Sequence, residues 1–321
     1  MAEFEIIEKY FKALASSNKA ARNLADDSAQ FAVKNNCELV VSKDIFIEDI
    51  HFLLEDGGYK IAQKLLSTNL SDLAASGATP LYYMLGFGKS KNIDEKFIAE
   101  FCKGLRDLQK KFKIKLIGGD TSAAPKAFFS ITIFGSVKKN QNLARFNGCE
   151  NDLIFVSGNI GDAFRGLQIK LGEKNNYTKS QKNYFLNRHF FPTPQIILGQ
   201  NLLAKKLSKC AIDISDGLLA DLRHICKNSK LSAEIFLDKI PFYEKNLPLN
   251  QQLKLMSGGD DYELLFTVDC KNERKIINLA KKLNLKLSCI GFLTKKQRCE
   301  ITLFNSQNQQ IKLTKFGYEH F

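Results

Sequence analysis

The chain has no tryptophan and only six prolines in 321 residues. No proline-rich, low-complexity or repeated stretch appears, which excludes an extended linker or a solenoid. No apolar run approaches the roughly 20 residues that span a bilayer. The start, "MAEFEIIEKYFKALASS", places acids where a signal peptide needs an apolar segment. The expected compartment is the cytoplasm, with no membrane partner. Cysteine is present eight times, without a CxxC pair and mostly beside apolar neighbours, so reduced core thiols are expected in place of a disulfide or zinc framework. The four histidines form no HExxH or finger spacing.

Acids are the scarcer charge, 34 against 47 Lys plus Arg, for a net charge of +13. Such a surplus raises nucleic acid as a partner. The lysines are nevertheless spread along the chain. The densest stretch, "KKFKIK" at Lys110–Lys115, follows the helical pattern "FIAEFCKGLRDL", where cations at a helix C-terminus account for it. No nucleic-acid partner is expected. Nucleotide loops are missing as well: "GFGKSK" would need a glycine five positions before Gly88 to be a Walker A loop, and that position is Tyr83.

What is there is an alternation of strand and helix patterns. "CELVVSKDIFI", "LYYMLGFG", "IKLIGG" and "FFSITIFGSV" read as strands, and "YKIAQKLLSTNLSDLAASG" and "KFIAEFCKGLRDLQKKF" as helices. The pattern restarts after the turn-rich "ARFNGCEND" with a new strand and the helix "GDAFRGLQIKL", then closes with the helix "NERKIINLAKKL", the strand "LKLSCIGFL" and a hairpin-like "ITLFNSQNQQIKLT". The fold class expected is mixed α/β (α+β) in two domains, 1–148 and 149–321.

Aspartates recur where these elements end: Asp27, Asp44, Asp72, Asp120, Asp213 and Asp216. Converging carboxylates raise one another's pKa unless cations intervene, and hard oxygen ligands of this kind suit Mg²⁺ shared with phosphates. Magnesium-dependent phosphate chemistry follows as the hypothesis. "KLIGGDTS" runs a strand into two glycines and Asp120, which suits a close backbone approach to a ligand and equally a tight turn. In "AIDISDGLLADL", Asp213 and Asp216 sit where a strand gives way to a helix whose start would offer N–H groups to phosphate; capping of that helix is the competing explanation. On the helix before "GATP", Asn69, Asp72 and Ser76 form a polar strip beside apolar Leu66, Leu70 and Leu73.

"DDSAQF", "SKDIFIEDIHF", "STNLSDLAASGATP", "LIGGDT", "DISDGLLADL", "SGGDDYELLFTV" and "GYEHF", in this order and over nearly the whole length, resemble the bacterial thiamine-monophosphate kinases, of the aminoimidazole ribonucleotide synthetase-like superfamily. The resemblance implies the two-domain fold of that superfamily, with an N-terminal domain that binds ATP and Mg²⁺ and forms a homodimer and a C-terminal domain that completes the active site. It implies ATP-dependent, Mg-assisted phosphoryl transfer to thiamine phosphate, giving thiamine diphosphate and ADP. By position it implies metal ligation by Asp27, Ser42, Asp44, Asp72, Asp120, Asp213 and Asp216, with Asp120, Asp213 and Asp216 catalytic. Nucleotide contact would fall to Gly119, Asp120, Arg145 and Ser215, and the thiamine phosphate site to His51, Asp260 and Tyr318.

Some residues depart from the family pattern. "LADD" lacks the glycine usual before the two acids, and Lys43 puts a cation where a hydroxyl would face metal or phosphate. Asp260 stands where glutamate is common, and "RFNGCEND" replaces a glycine-rich turn after Arg145. Two other members of the superfamily fit less well: a selenophosphate synthetase would carry a reactive cysteine near the N-terminus, yet the first is Cys37, and a hydrogenase maturation factor would end in a cysteine-bearing tail rather than "GYEHF".

Overall fold

The computed structural model describes residues 3–16, 18–25, 28–314 and 316–317. The chain divides into two compact units, one of Met1–Leu73 with Ala78–Asn140 and one of Ala74–Gly77 with Gln141–Phe321. Both mix helix and sheet, as the alternation of patterns implied.

The first unit opens with two short helices, α1 (Glu3–Ile6) and α2 (Lys12–Ala15). It continues through β1 (Cys37–Ile47), α3 (Gly58–Ala75), β2 (Thr79–Lys89), α4 (Glu95–Phe112), β3 (Lys115–Ala123) and β4 (Phe128–Lys138). The sheet order is β1-β4-β2-β3. Only β2 and β3 run parallel, because α4 carries the chain back to the same end of the sheet. Helix α4 starts where Asp94 accepts the Phe97 N–H at 2.8 Å and stops at Lys113 in the left-handed region, with Lys110 and Lys111 in its last turn. That is the helix C-terminus expected for the lysine-rich stretch.

Period-2 patterning sets the faces of β1. Leu39, Val41, Lys43 and Ile45 are exposed, while Val40, Ser42, Asp44 and Phe46 are turned inward. The inward face of the sheet carries Tyr83, Phe87, Phe129, Ile131 and Ile133, all essentially inaccessible. Phe101 of α4 meets Phe129 at 4.7 Å between ring centroids. Helices α3 and α4 pack so closely that a Cβ on Gly58 would stand 2.2 Å from the Phe97 carbonyl oxygen. Helix α3 is buried over Ile61–Leu70.

The second unit comprises β5 (Leu153–Ser157), α5 (Asp162–Lys170), α6 (Lys179–Phe190), α7 (Ile196–Ala204), β6 (Cys210–Asp213), α8 (Leu218–Ser229), β7 (Leu231–Phe236), α9 (Leu249–Met256), β8 (Leu264–Val268), α10 (Glu273–Leu283), β9 (Leu287–Lys295), β10 (Ile301–Phe304) and β11 (Gln310–Ile311). Its sheet runs β11-β10-β7-β9-β5-β8-β6. The last two strands form the hairpin read from the sequence. One apolar core, including Val156, Ile212, Leu219, Leu222, Leu265 and Ile290, fixes α8 against the strands. The cysteines are free; Cys102, Cys210 and Cys226 are buried, but Cys149, Cys270 and Cys299 are exposed, so the expectation of mostly core thiols holds for only some of them. Among the described residues no helix is long and apolar enough to cross a membrane.

Candidate functional site

In the first unit the two periodicities meet. Ser42 and Asp44, two apart on the inward face of β1, lie opposite Thr68 and Asp72, one turn apart on α3. The Ser42 hydroxyl donates to Asp72 Oδ2, and the Thr68 hydroxyl donates to Asp44 Oδ2 at 2.8 Å. Burial pushes the Asp44 carboxyl above its ordinary value, and the Thr68 bond pulls it partly back. Thr68 was not singled out in the sequence; its place one helical turn before Asp72 was the available signal. Asn69 is fully buried and donates to the Leu65 carbonyl at 2.9 Å, so the strip beside Asp72 is not a solvated face.

Lys43 alternates to the exposed side of β1, away from Ser42 and Asp44. Asp120 is exposed, and the ladder aligns it with Gly86, Ser130 and Ile45 on the face opposite Asp44. The structure brings Ser42, Asp44 and Asp72 together, and Asp120 does not join them. Gly119 has a packing reason of its own: a Cβ there would stand 1.9 Å from the Leu85 carbonyl oxygen. His51, in the turn after β1, accepts the Ile47 N–H on Nδ1 at 3.1 Å and stacks on Phe46. That bond leaves the proton of the neutral ring on Nε2 as a donor. Asp27 and Tyr318 lie outside the described residues.

In the second unit Asp213 ends β6, 5 % exposed, and Ser215 and Asp216 follow half-buried. Gly217, at φ 116°, precedes α8 and no side chain caps that helix end. Capping by Asp213 or Asp216 is thereby set aside. A residue the sequence reading passed over, Asp221 in the first turn of α8, reaches back: its Oδ2 accepts the N–H groups of Ser215 at 3.0 Å and Asp216 at 3.1 Å. These two donors lie in the loop before α8, not at the helix start itself. Burial, and then the charges of Asp213 and Asp216, push the Asp221 carboxyl well above the usual carboxylate range.

The segment Ser257–Glu263 pairs with this loop. Asp260 N–H donates to the Ser215 carbonyl, Tyr262 N–H to that of Ile214 and Ile214 N–H to that of Glu263, each at 2.8 Å. A Cβ on Gly259 would stand 2.2 Å from the Ser215 oxygen, so only glycine passes there. The acids of "DDYE" divide. Asp261 accepts the Gly161 and Ala163 N–H groups at 2.6 and 3.2 Å at the start of α5, and burial raises its carboxyl well above the usual range. Glu263 is buried against Arg188, Ser157 and Gln195. Asp260 remains partly exposed, with His189 Nδ1 3.5 Å from its Oδ2 and the Tyr262 hydroxyl donating to Oδ1 at 3.2 Å. Arg145 is exposed, and its charge, after burial, is the largest influence holding the His224 pKa below its ordinary value. A Cβ on Gly317 would stand 2.7 Å from the Asp216 carbonyl, so the chain just before Tyr318 runs along the same loop.

Among the described residues no three His, Cys, Asp or Glu side chains form a metal cage. Asp44 and Asp72 accept from the Thr68 and Ser42 hydroxyls, and Asp213 and Asp216 flank Ser215. Mg²⁺ is ordinarily held by one or two carboxylates together with substrate phosphates and water. Burial at Asp44, and burial together with the charges of Asp213 and Asp216 at Asp221, disfavours the ionised carboxylates, and a nearby cation would relieve that cost. The residues fit the ion.

Residues 25–137 match the family model "AIR synthase related protein, N-terminal domain" and residues 150–304 the model "AIR synthase related protein, C-terminal domain". Fold and site thus define the class, a two-domain AIR synthase related protein. The thiamine-monophosphate kinase of Buchnera aphidicola subsp. Schizaphis graminum is 36 % identical over 326 residues, 99 % of this chain and 98 % of that one. The crystal structure of thiamine-monophosphate kinase from Stenotrophomonas maltophilia superposes with a TM-score of 0.82 at 33 % identity, covering 94 % of this chain and 96 % of the other. The structure "AaThiL complexed with AMPPCP and TMP" gives 0.76 at 25 % identity, covering 99 % and 97 %. The chain belongs to the thiamine-monophosphate kinase family.

Proposed function

We propose that the protein transfers a phosphoryl group from ATP to thiamine phosphate, giving thiamine diphosphate and ADP. The observation that carries this is the full-length similarity to the kinases, one of them solved with an ATP analogue and TMP. The acceptor phosphate has a second pKa near 6, so it is largely a dianion at neutral pH and needs no general base. Catalysis then rests on positioning and charge neutralisation.

Asp44 and Asp72 with Ser42, Asp120 on the other face of the sheet, Asp27, and Asp213 with Asp216 are the residues that would hold several Mg²⁺ ions. The ion, when bound, neutralises phosphate charge and stabilises the in-line transfer. Gly119, Asp120 and Ser215 contact the nucleotide, and the Arg145 fork matches phosphate oxygens. His51, Asp260 and Tyr318 receive thiamine phosphate, His51 through its Nε2 proton. Residues 1–148 are assigned ATP and Mg²⁺ binding and dimerisation, and residues 149–321 the remaining catalytic groups. The exposed apolar row of Leu39, Val41, Ile45 and Met84 supports a homodimer. Nucleic acid and membrane have no part in this reading, and its compartment is the cytoplasm. Purified protein with ATP and Mg²⁺ should convert thiamine phosphate in preference to free thiamine; robust conversion of free thiamine with none of its phosphate ester would refute it.

A further inference from the structure

The loop from Asp213 to Asp216 leaves little of its backbone for a ligand. The Ile214 N–H donates to Glu263, and the Ile214 and Ser215 carbonyls receive Tyr262 and Asp260. The two N–H groups that remain, on Ser215 and Asp216, converge on one oxygen of Asp221, a side chain 2 % exposed. Consecutive N–H groups pointing at one acceptor form a ready anion cradle. Here the chain fills that cradle with its own carboxylate. What the loop can still present is the side chains of Asp213, Ser215 and Asp216.

We propose that Asp221 is a positioning residue that makes this a cation-holding loop: by occupying the Ser215 and Asp216 N–H groups it fixes the two acids and withholds the backbone from anions. Phosphates then meet the loop through Mg²⁺. This rests on the reading of Asp213 and Asp216 as metal ligands. Without the carboxylate, two donors lose their acceptor, the loop relaxes, and the N–H pair becomes open to a phosphate oxygen.

The test is a Mg²⁺ titration of the full chain with a non-hydrolysable ATP analogue, followed by the ligand-induced melting shift, with analogue binding measured in parallel in excess chelator. Asp221→Ala should raise the Mg²⁺ midpoint about 10- to 100-fold, the usual cost of losing a group that orients a metal ligand, and should bind the analogue more tightly than wild type when Mg²⁺ is removed. Asp221→Asn, whose amide oxygen can accept the same two bonds, should restore the midpoint. Should Asp221→Ala fail to fold, Asp221→Ser, able to hold one N–H, takes its place with an intermediate midpoint. A wild-type midpoint in the Ala or Ser variant, however far the melting temperature falls, overturns the proposal. Asp213→Asn separates the two readings: if it too leaves the midpoint unmoved, the metal role of the loop falls and the proposal with it.

Discussion

Removal of the Glu263 carboxylate tests how the second unit holds its loop. The Glu263 side chain is 3 % exposed and Arg188 opposite it 19 %; Gln195 donates to the same carboxylate at 2.9 Å, and the Ser157 hydroxyl donates to it as well. Glu263→Ala leaves a largely buried guanidinium without its counter-charge, which costs about 3–5 kcal/mol. The stranded Gln195 and Ser157 donors add less than their separate values, because the groups share one acceptor. At about 2–4 °C per kcal/mol for a unit of this size, the melting temperature should fall by roughly 10 °C. Replacing both charges, Arg188→Met with Glu263→Met, should cost less than Glu263→Ala alone, since no unpaired charge remains. Calorimetric melting of the ligand-free variants, analysed as a double-mutant cycle, reads both effects. A fall of under about 3 °C for Glu263→Ala, or a double variant that melts lower still, would refute the account.

Three further outcomes are expected. Asp213→Asn and Asp216→Asn should melt near wild type, since neither caps α8, yet lose kcat by about 100-fold or more; lowered melting with wild-type turnover would point back to a structural role. Thr68→Val removes the bond that pulls the raised Asp44 pKa down, so Asp44 stays protonated to higher pH and the acid limb of kcat/KM should move upward in pH; a limb that stays in place or moves down counts against Asp44. Val41→Glu with Ile45→Glu places charges on the exposed face of β1 and should convert a dimer to monomer by light scattering, whereas an unchanged mass would remove that face from the interface.

The fold was legible wherever one period ruled a segment. The 2-residue alternation of β1 and the helical patterns of α3, α4 and α8 come from backbone geometry alone. Legibility failed where the third dimension decides. Asn69 and Asp72 share a helix face in the sequence, but the fold buries Asn69 completely and brings Asp72 to Ser42. Asp120, like Asp44, was read as ending a strand, and both lie within one; the ladder register, invisible before pairing is known, turns Asp120 to the other face. Lys43 needs no pairing to be placed, because the alternation that turns Ser42 and Asp44 inward already turns Lys43 out.

Acids also divide by what they have already accepted. Asp221 and Asp261 each accept two backbone N–H groups, and Glu263 takes a guanidinium, an amide and a hydroxyl. A carboxylate so satisfied gains little by turning to a ligand and would strand its donors in doing so. Asp44 and Asp72 accept from hydroxyls, Thr68 and Ser42, and a hydroxyl can rotate to donate elsewhere. Sequence shows all of these as the same letter beside glycine or an apolar run. The donor each one faces separates the acids bound to backbone and guanidinium from those that accept from hydroxyls.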